Sequence, residues 1–218
     1  MRSSHHHRVI RVLVRSSALF LASLAFGAGA ASAGRTDPPG HRDANHCVTG
    51  LGVDLNELFG VSDQFLARGC NVVSAGEHWI RSAEWITNGS DDPVYPAGYV
   101  PARPAPIEDF LSKLIAVKIV VDGGTRQQQT YVFSPGQVER TDVTADQLQP
   151  GLWDPGTPMA IALPRMAPVS VGPHTSEPIL VLSAKHCDGF FTDEARSCLP
   201  AGETSYVARP FQVVEPTP

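Results

Sequence analysis

Along this chain the spacing of apolar positions changes from one stretch to the next, and the spacing sorts the stretches into elements. From Pro106 to Leu114 the apolar residues Ile107, Phe110, Leu111 and Leu114 fall at i, i+3, i+4 and i+7, the period of a helix that buries one face. Pro106 suits the first helical position, and Glu108 and Asp109 suit the positive end of the helix dipole. The stretch predicts a helix of about two turns. It runs directly into "IAVKIVV", then "DGGT", then "RQQQTYVFS", where polar residues alternate with Tyr131 and Phe133. That pattern predicts a β-hairpin on a turn that Asp-Gly favours.

Elsewhere the apolar runs are short and β-rich. "CNVVSAGEHWIRSAEWITNGSDD" reads as strands around a turn at Ala75 and Gly76, with Trp79, Ala83 and Trp85 on one face. A helix starting near Glu77 is the competing reading, and the aromatic and β-branched content favours strands. Prolines at 93, 96, 101, 104 and 106 forbid a central strand and predict an extended connector or edge. Thr144 and Gln147 mark a brief helix start that Pro150 and Gly151 halt. The last third offers "TPMAIALP", "EPILVLSA" and "SYVARPFQVVE" as strands, separated by "RMAPVSVGPHTS" and a cysteine-bracketed loop.

Between Cys47 and Cys70 the signals turn helical. Asp54 with Glu57 three residues on resembles a capping box, with Gly60 as the stop; Ser62 and Asp63 start a second short helix that Arg68 and Gly69 end. No helix is long enough to cross over between parallel strands, so the sheets are expected to be antiparallel. The fold expected is mainly β, an immunoglobulin-like antiparallel β-sandwich with a short N-terminal helical cap.

The N-terminus changes the picture of where this domain works. Arg2, Arg8, Arg11 and Arg15 precede an apolar run from Ala18 to Ala30 and a small-x-small "ASA" at Ala31 to Ala33, the pattern of a signal peptide over 1–33. The run is too short to span a bilayer. Residues 34–46, polar and rich in Pro and Gly, read as a flexible lead-in, and 47–218 as one domain. With those four arginines removed from 17 basic residues, 13 remain against 22 acidic ones, a net of −9. Such a surface repels polyanions, so no nucleic-acid partner is expected, and no membrane contact after cleavage. The protein is expected to be secreted.

Cys47, Cys70, Cys187 and Cys198 all lie in the exported part, where an even count favours bridges. The local pairing, Cys47–Cys70 and Cys187–Cys198, closes short segments and is the one expected. Each closed loop contributes roughly 3 kcal/mol.

This bears on "SAKHCDGFFTDEARSCLPAGE", which puts His186, Cys187 and Asp188 side by side. A metal site or a nucleophile needs a thiolate, and a disulfide removes it. Consecutive strand residues also point to opposite faces. The stretch is therefore expected to be a stapled loop, with no metal and no cofactor. Within it Phe190 and Phe191 either fold back onto the sandwich edge or face a partner. Trp79 and Trp85, and Tyr95 and Tyr99, have even spacing; each pair is expected in the core, and exposed it would stack sugar rings. Phe190, Phe191, Trp79 and Trp85 are the candidate binding residues.

Signatures of hydrolases, zinc helices and phosphate loops are missing from the sequence. Glu77 and Glu84 fall on opposite faces of a strand, which argues against a glycosidase pair, and His78 in "GEHW" reads as a surface or hydrogen-bonded residue. His41 and His46 lie in the lead-in.

The segments "GVDLNELFGVSDQF", "AGEHW", "PIEDFLSKLIAVKIVVDGGT" with "TYVF", and "LSAKHCDG" followed by "CLPAGE" resemble a group of small, uncharacterised secreted proteins of actinomycetes. The resemblance spans most of residues 50 to 215. It implies secretion and one shared fold, and it transfers no catalytic residue. The function expected is a secreted, non-catalytic binding or interaction module that presents the 187–198 loop to an extracellular protein or polysaccharide. The alternatives are a carbohydrate-binding module using Trp79 or Trp85, and a hydrolase gathering His78, Glu77 and a distant carboxylate.

Overall fold

A computed structural model describes residues 41–43, 46–137, 139–140 and 142–216. The signal peptide expected over 1–33 and the start of the lead-in lie outside the described residues. Strands β1 (His41–Asp43) and β2 (His46–Val48) form an antiparallel pair, so the stretch expected as a flexible lead-in ends in a hairpin. Helix α1 (Leu55–Phe59) follows. The Asp54 side chain accepts from the Asn56 and Glu57 amides, and Gly60 stops the helix at φ 63°, as the spacing predicts.

The second helix expected after Ser62 and Asp63 does not form. Gln64–Phe65 is a strand instead, β3. The Leu66 amide donates to Ile80 at 2.8 Å, and Phe65 and Leu66 are buried; tertiary burial overrides a weak local propensity. Residues 71–87 are strands, as their composition predicts: β4 (Val72–Ser74), β5 (Trp79–Ile80) and β6 (Ala83–Ile86). Helix α2 (Pro106–Lys113) leads without a break into β7 (Leu114–Val121), which pairs antiparallel with β8 (Gln129–Phe133). Then come β9 (Glu139–Arg140) and α3 (Ala145–Leu148), the latter opened by a Thr144–Gln147 capping box. The last third holds β10 (Met159–Ala162), β11 (Arg165–Met166), β12 (Gly172–Leu182), β13 (His186–Cys187), α4 (Glu194–Ser197), β14 (Cys198–Leu199), β15 (Gly202–Ser205) and β16 (Arg209–Val214).

The protein is mainly β, with several sheets and short helices. The largest sheet has the order β4-β16-β12-β7-β8. Strand β12 is its spine: one edge pairs with β7, the other with β16 up to Ser176 and with β15 from Ile179. Pro178 falls where β12 changes partner. Two three-stranded sheets, β6-β10-β9 and β11-β5-β3, complete the body. The expectation of antiparallel pairing throughout fails at two places, because β4 runs parallel to β16 and β3 to β5. A parallel pair needs a long connection, which need not be a helix; between β3 and β5 it is the Cys70 turn and β4.

Val117, Ile119, Leu180 and Leu182 of the large sheet share one core with Ala160 and Ala162 of β10, Trp79 of β5 and Phe110 of α2. A second, smaller core gathers Leu55, Phe65 and Ile80 around Cys47 and Cys70. Both expected disulfides are present, Cys47–Cys70 and Cys187–Cys198. They fit an oxidising environment. The second joins β13 to β14, with Cys187 opposite Cys198 and His186 opposite Leu199, and so closes the base of the late loop. Among the described residues no helix is long and apolar enough to cross a membrane.

Candidate ligand-binding cleft

Arg68, Arg81 and Arg209 are far apart in sequence, and three local structures bring them together. Arg68 sits on a tight turn in which the Ala67 and Cys70 amides and carbonyls bond each other, with Gly69 at φ 85° and the Cys47–Cys70 bridge behind it. Arg81 lies in the link where the chain leaves β5 and enters β6, strands of two different sheets. Arg209 opens β16, opposite Ser176 of β12.

These arginines and Ala67 form the wall common to two adjoining cavities of about 440 and 430 Å³, within the size range of small-molecule sites. Half-buried Phe59 and Leu148, packed against the smaller core, line the larger cavity together with that core's buried Leu55 and Phe65. Leu51 and Val207 stand exposed at its rim. The Tyr206 hydroxyl donates to the Glu84 carbonyl at 2.7 Å, and burial pushes its phenol far up, so this side chain is neutral.

The charge of the cleft runs against that of the chain. Three arginines and Glu84 line it, whereas the whole chain carries a formal −5. Among the described residues no salt bridge and no side-chain hydrogen bond engages Arg68, Arg81 or Arg209. The Arg81 Nε is buried without an acceptor. Burial pushes the Arg81 guanidinium down, Glu84 opposes this, and the charge of Arg209 adds to it. Buried donors without acceptors are costly, and a guanidinium presents a planar fork suited to carboxylate or phosphate oxygens. No histidine or cysteine among the described residues lines either cavity, so the arrangement can hold an anion and offers no imidazole or thiol.

The residues singled out from sequence lie elsewhere. Trp79 is 1% exposed, its Nε1 donates to the Ala167 carbonyl at 2.9 Å, and its ring lies 5.1 Å from Phe211. Trp85 is half-buried against Phe110, with its Nε1 enclosed. Phe190 folds back onto Trp153 at 5.6 Å, whereas Phe191 is 42% exposed with the Arg196 guanidinium 4.1 Å from its ring centre. Glu77 and His78 line neither cavity; Glu84 does.

A buried polar cluster lies under the late loop. Asp109 accepts from the Tyr99 hydroxyl (2.6 Å), the Ala102 amide (2.6 Å), Lys113 Nζ (2.7 Å) and His186 Nδ1 (2.8 Å). Burial would raise the Asp109 carboxyl, and the bonds from His186, Lys113 and Tyr99 outweigh it, holding the group well below the carboxylate range. Burial pushes the His186 ring down despite Asp109. The pair has the form of a catalytic dyad, but His186 has no exposed surface and its Nε2 has no partner among the described residues. No substrate reaches it, and the cluster ties α2, the proline-rich connector and β13 together.

Sequence reasoning missed all three cleft arginines. The only signal was that Arg68 and Arg81 flank segments rich in apolar residues, which does not reveal that Arg209 joins them. No protein-family model, no curated protein and no solved structure matches this chain.

Proposed function

We propose that the protein is a non-catalytic binding module, secreted as the resemblance to exported actinomycete proteins implies, and that its ligand sits in the cleft walled by Arg68, Arg81 and Arg209. The single observation that carries this reading is a wall of three arginines that makes no salt bridge among the described residues, beside an apolar surface, in an otherwise acidic chain. Two disulfides and the missing thiols suit life outside the cell. An immunoglobulin-like sandwich is the architecture proposed with it. The shared core between the large sheet and the smaller ones supports two layers, while the parallel β4–β16 and β3–β5 pairs depart from that topology.

The 187–198 loop is a poorer binding surface than its sequence promised, since Phe190 packs on Trp153 and leaves Phe191 alone outside. Sugar stacking on Trp79 has no open ring face to use. The test is ligand-observed NMR of the disulfide-bonded protein with a set of small carboxylates, phosphates, sugars and amines. It compares the wild type with Ser82→Trp, which fills the cleft from its half-buried lining. Binders lost in Ser82→Trp support the reading. No binder, or binders indifferent to Ser82→Trp, removes it.

A further inference from the structure

We infer that the ligand is a small amphiphilic anion, free in solution, with a compact oxyanion head held by Arg81 and Arg209 and an apolar body lying against Phe59, Leu148 and Val207. This rests on the binding reading above and names the ligand's chemistry. Polarity in the cleft is segregated: the cations form the wall shared by both cavities, and the half-buried apolar side chains of Phe59 and Leu148 line the larger cavity alone. A bare inorganic anion satisfies the first feature and leaves the second wet. A neutral apolar molecule does the reverse and leaves the Arg81 Nε without an acceptor.

Size and charge narrow the choice further. The larger cavity, about 440 Å³, holds the volume of roughly fifteen waters at liquid density. That suits a medium-length acyl or aryl body with one head. A polyanion would extend past the arginines onto a surface whose net charge repels it. With Glu84 on the same lining, one compact head is favoured over several. Carboxylate and phosphate monoester heads share this chemistry, since both accept two parallel bonds from a guanidinium fork.

Isothermal titration of the disulfide-bonded protein with decanoate, decyl phosphate, decanol and inorganic phosphate tests the inference. Circular dichroism checks that each variant is folded. Binding of decanoate or decyl phosphate is expected, with decanol and phosphate alone at least about tenfold weaker. Arg81→Met and Arg209→Met should each weaken it roughly ten- to a hundredfold, the worth of one charge-assisted hydrogen bond. Arg81→Lys should recover part of the loss. Decanol or phosphate binding as tightly as decanoate overturns the inference, as do arginine variants that bind like the wild type. Co-sedimentation with phosphatidylglycerol vesicles while decanoate and decyl phosphate stay unbound overturns the free ligand in favour of a bilayer. If neither amphiphile binds while Ser82→Trp still loses some other ligand, the amphiphilic anion falls and the binding module stands; if Ser82→Trp alters nothing, both fall.

Discussion

His186 Nδ1 lies 2.8 Å from Asp109 Oδ2 and joins β13 to α2 across 77 residues of sequence. The same carboxylate holds Lys113 one helical turn away and Tyr99 on the connector, so three segments meet on one charge. Replacing it by an amide leaves the Lys113 ammonium buried without its counter-ion. Asp109→Asn is therefore expected to cost about 3–5 kcal/mol in urea unfolding, the usual penalty for breaking a buried pair from one side. Because the native carboxyl is depressed, its contribution is complete above the ordinary Asp value of 3.8 and is lost only as pH falls through the lower native value. A cost below about 1 kcal/mol, the range of an exposed pair, would show that the cluster does not clamp these segments.

How much of this was readable in advance depended on whether the partners were local. Helix α2 was legible because Pro106, the acidic first turn and the i, i+3, i+4 apolar spacing all lie within nine residues. The β7–β8 hairpin announced itself through its turn, and both disulfides through their short spacing. Asp109, by contrast, reads in sequence as an exposed helix-dipole residue; its burial is decided by Tyr99 and His186, which local pattern does not place. The segment from Ser62 to Arg68 carried helix-start and helix-stop signals, yet the long-range burial of Phe65 made it a strand. Arg81 and Arg209 show the limit most plainly: their proximity follows from a sheet-to-sheet corner and the start of the last strand, which no period along the chain encodes.

Asp188 gives a pH signature of opposite sign to Asp109. It is 8% exposed, accepts from the Phe190 amide at 2.9 Å, and burial pushes its carboxyl up to about 6. The unfolded chain ionises it near 3.8, so its burden on stability is absent below that value, grows as pH rises to about 6, and is full above. His186, pushed down by burial, contributes the opposite trend as pH falls below its ordinary 6.5, and the two partly cancel in the wild type. Asp188→Asn isolates the first. It should be more stable than the wild type at pH 8 and indistinguishable near pH 4 in thermal melts across that range. An advantage that persists unchanged at pH 4 would mean that ionisation is not the cause.

The late loop is docked through Gly189. Its φ is 84°, and its carbonyl accepts from Asn88 Nδ2 at 2.8 Å and the Val94 amide at 2.9 Å. A Cβ there would lie 3.0 Å from Pro93, 3.1 Å from Pro106 and 3.2 Å from Asn88. Gly189→Ala thus combines a left-handed backbone with overpacking and should cost about 2–4 kcal/mol. Gly98→Ala is the control: Gly98 has a similar φ of 80° but a Cβ there meets nothing within 4 Å, so only the backbone cost of about 1–2 kcal/mol is expected. Equal melting temperatures for the two variants would remove the loop-to-connector contact as a source of stability.

Arg81 should reveal its role through stability as well as through binding. Its Nε is enclosed without an acceptor among the described residues, and its charge is disfavoured first by burial and then by Arg209, so the side chain is a burden that a bound anion would relieve. Arg81→Met keeps most of the volume and removes both the orphaned donor and the repulsion. Against this stands the loss of attraction to Glu84, which exceeds the Arg209 repulsion but is outweighed by the burial of the guanidinium. The expected net effect is a gain of about 0.5–2 kcal/mol, the range typical when a functional site is relieved of strain. Added salt should widen the gap, because in the wild type it screens the Glu84 attraction, which outweighs the Arg209 repulsion. Urea titrations at low and high ionic strength measure both effects; a loss of more than about 1 kcal/mol in Arg81→Met would instead make the guanidinium a brace between the two sheets it joins.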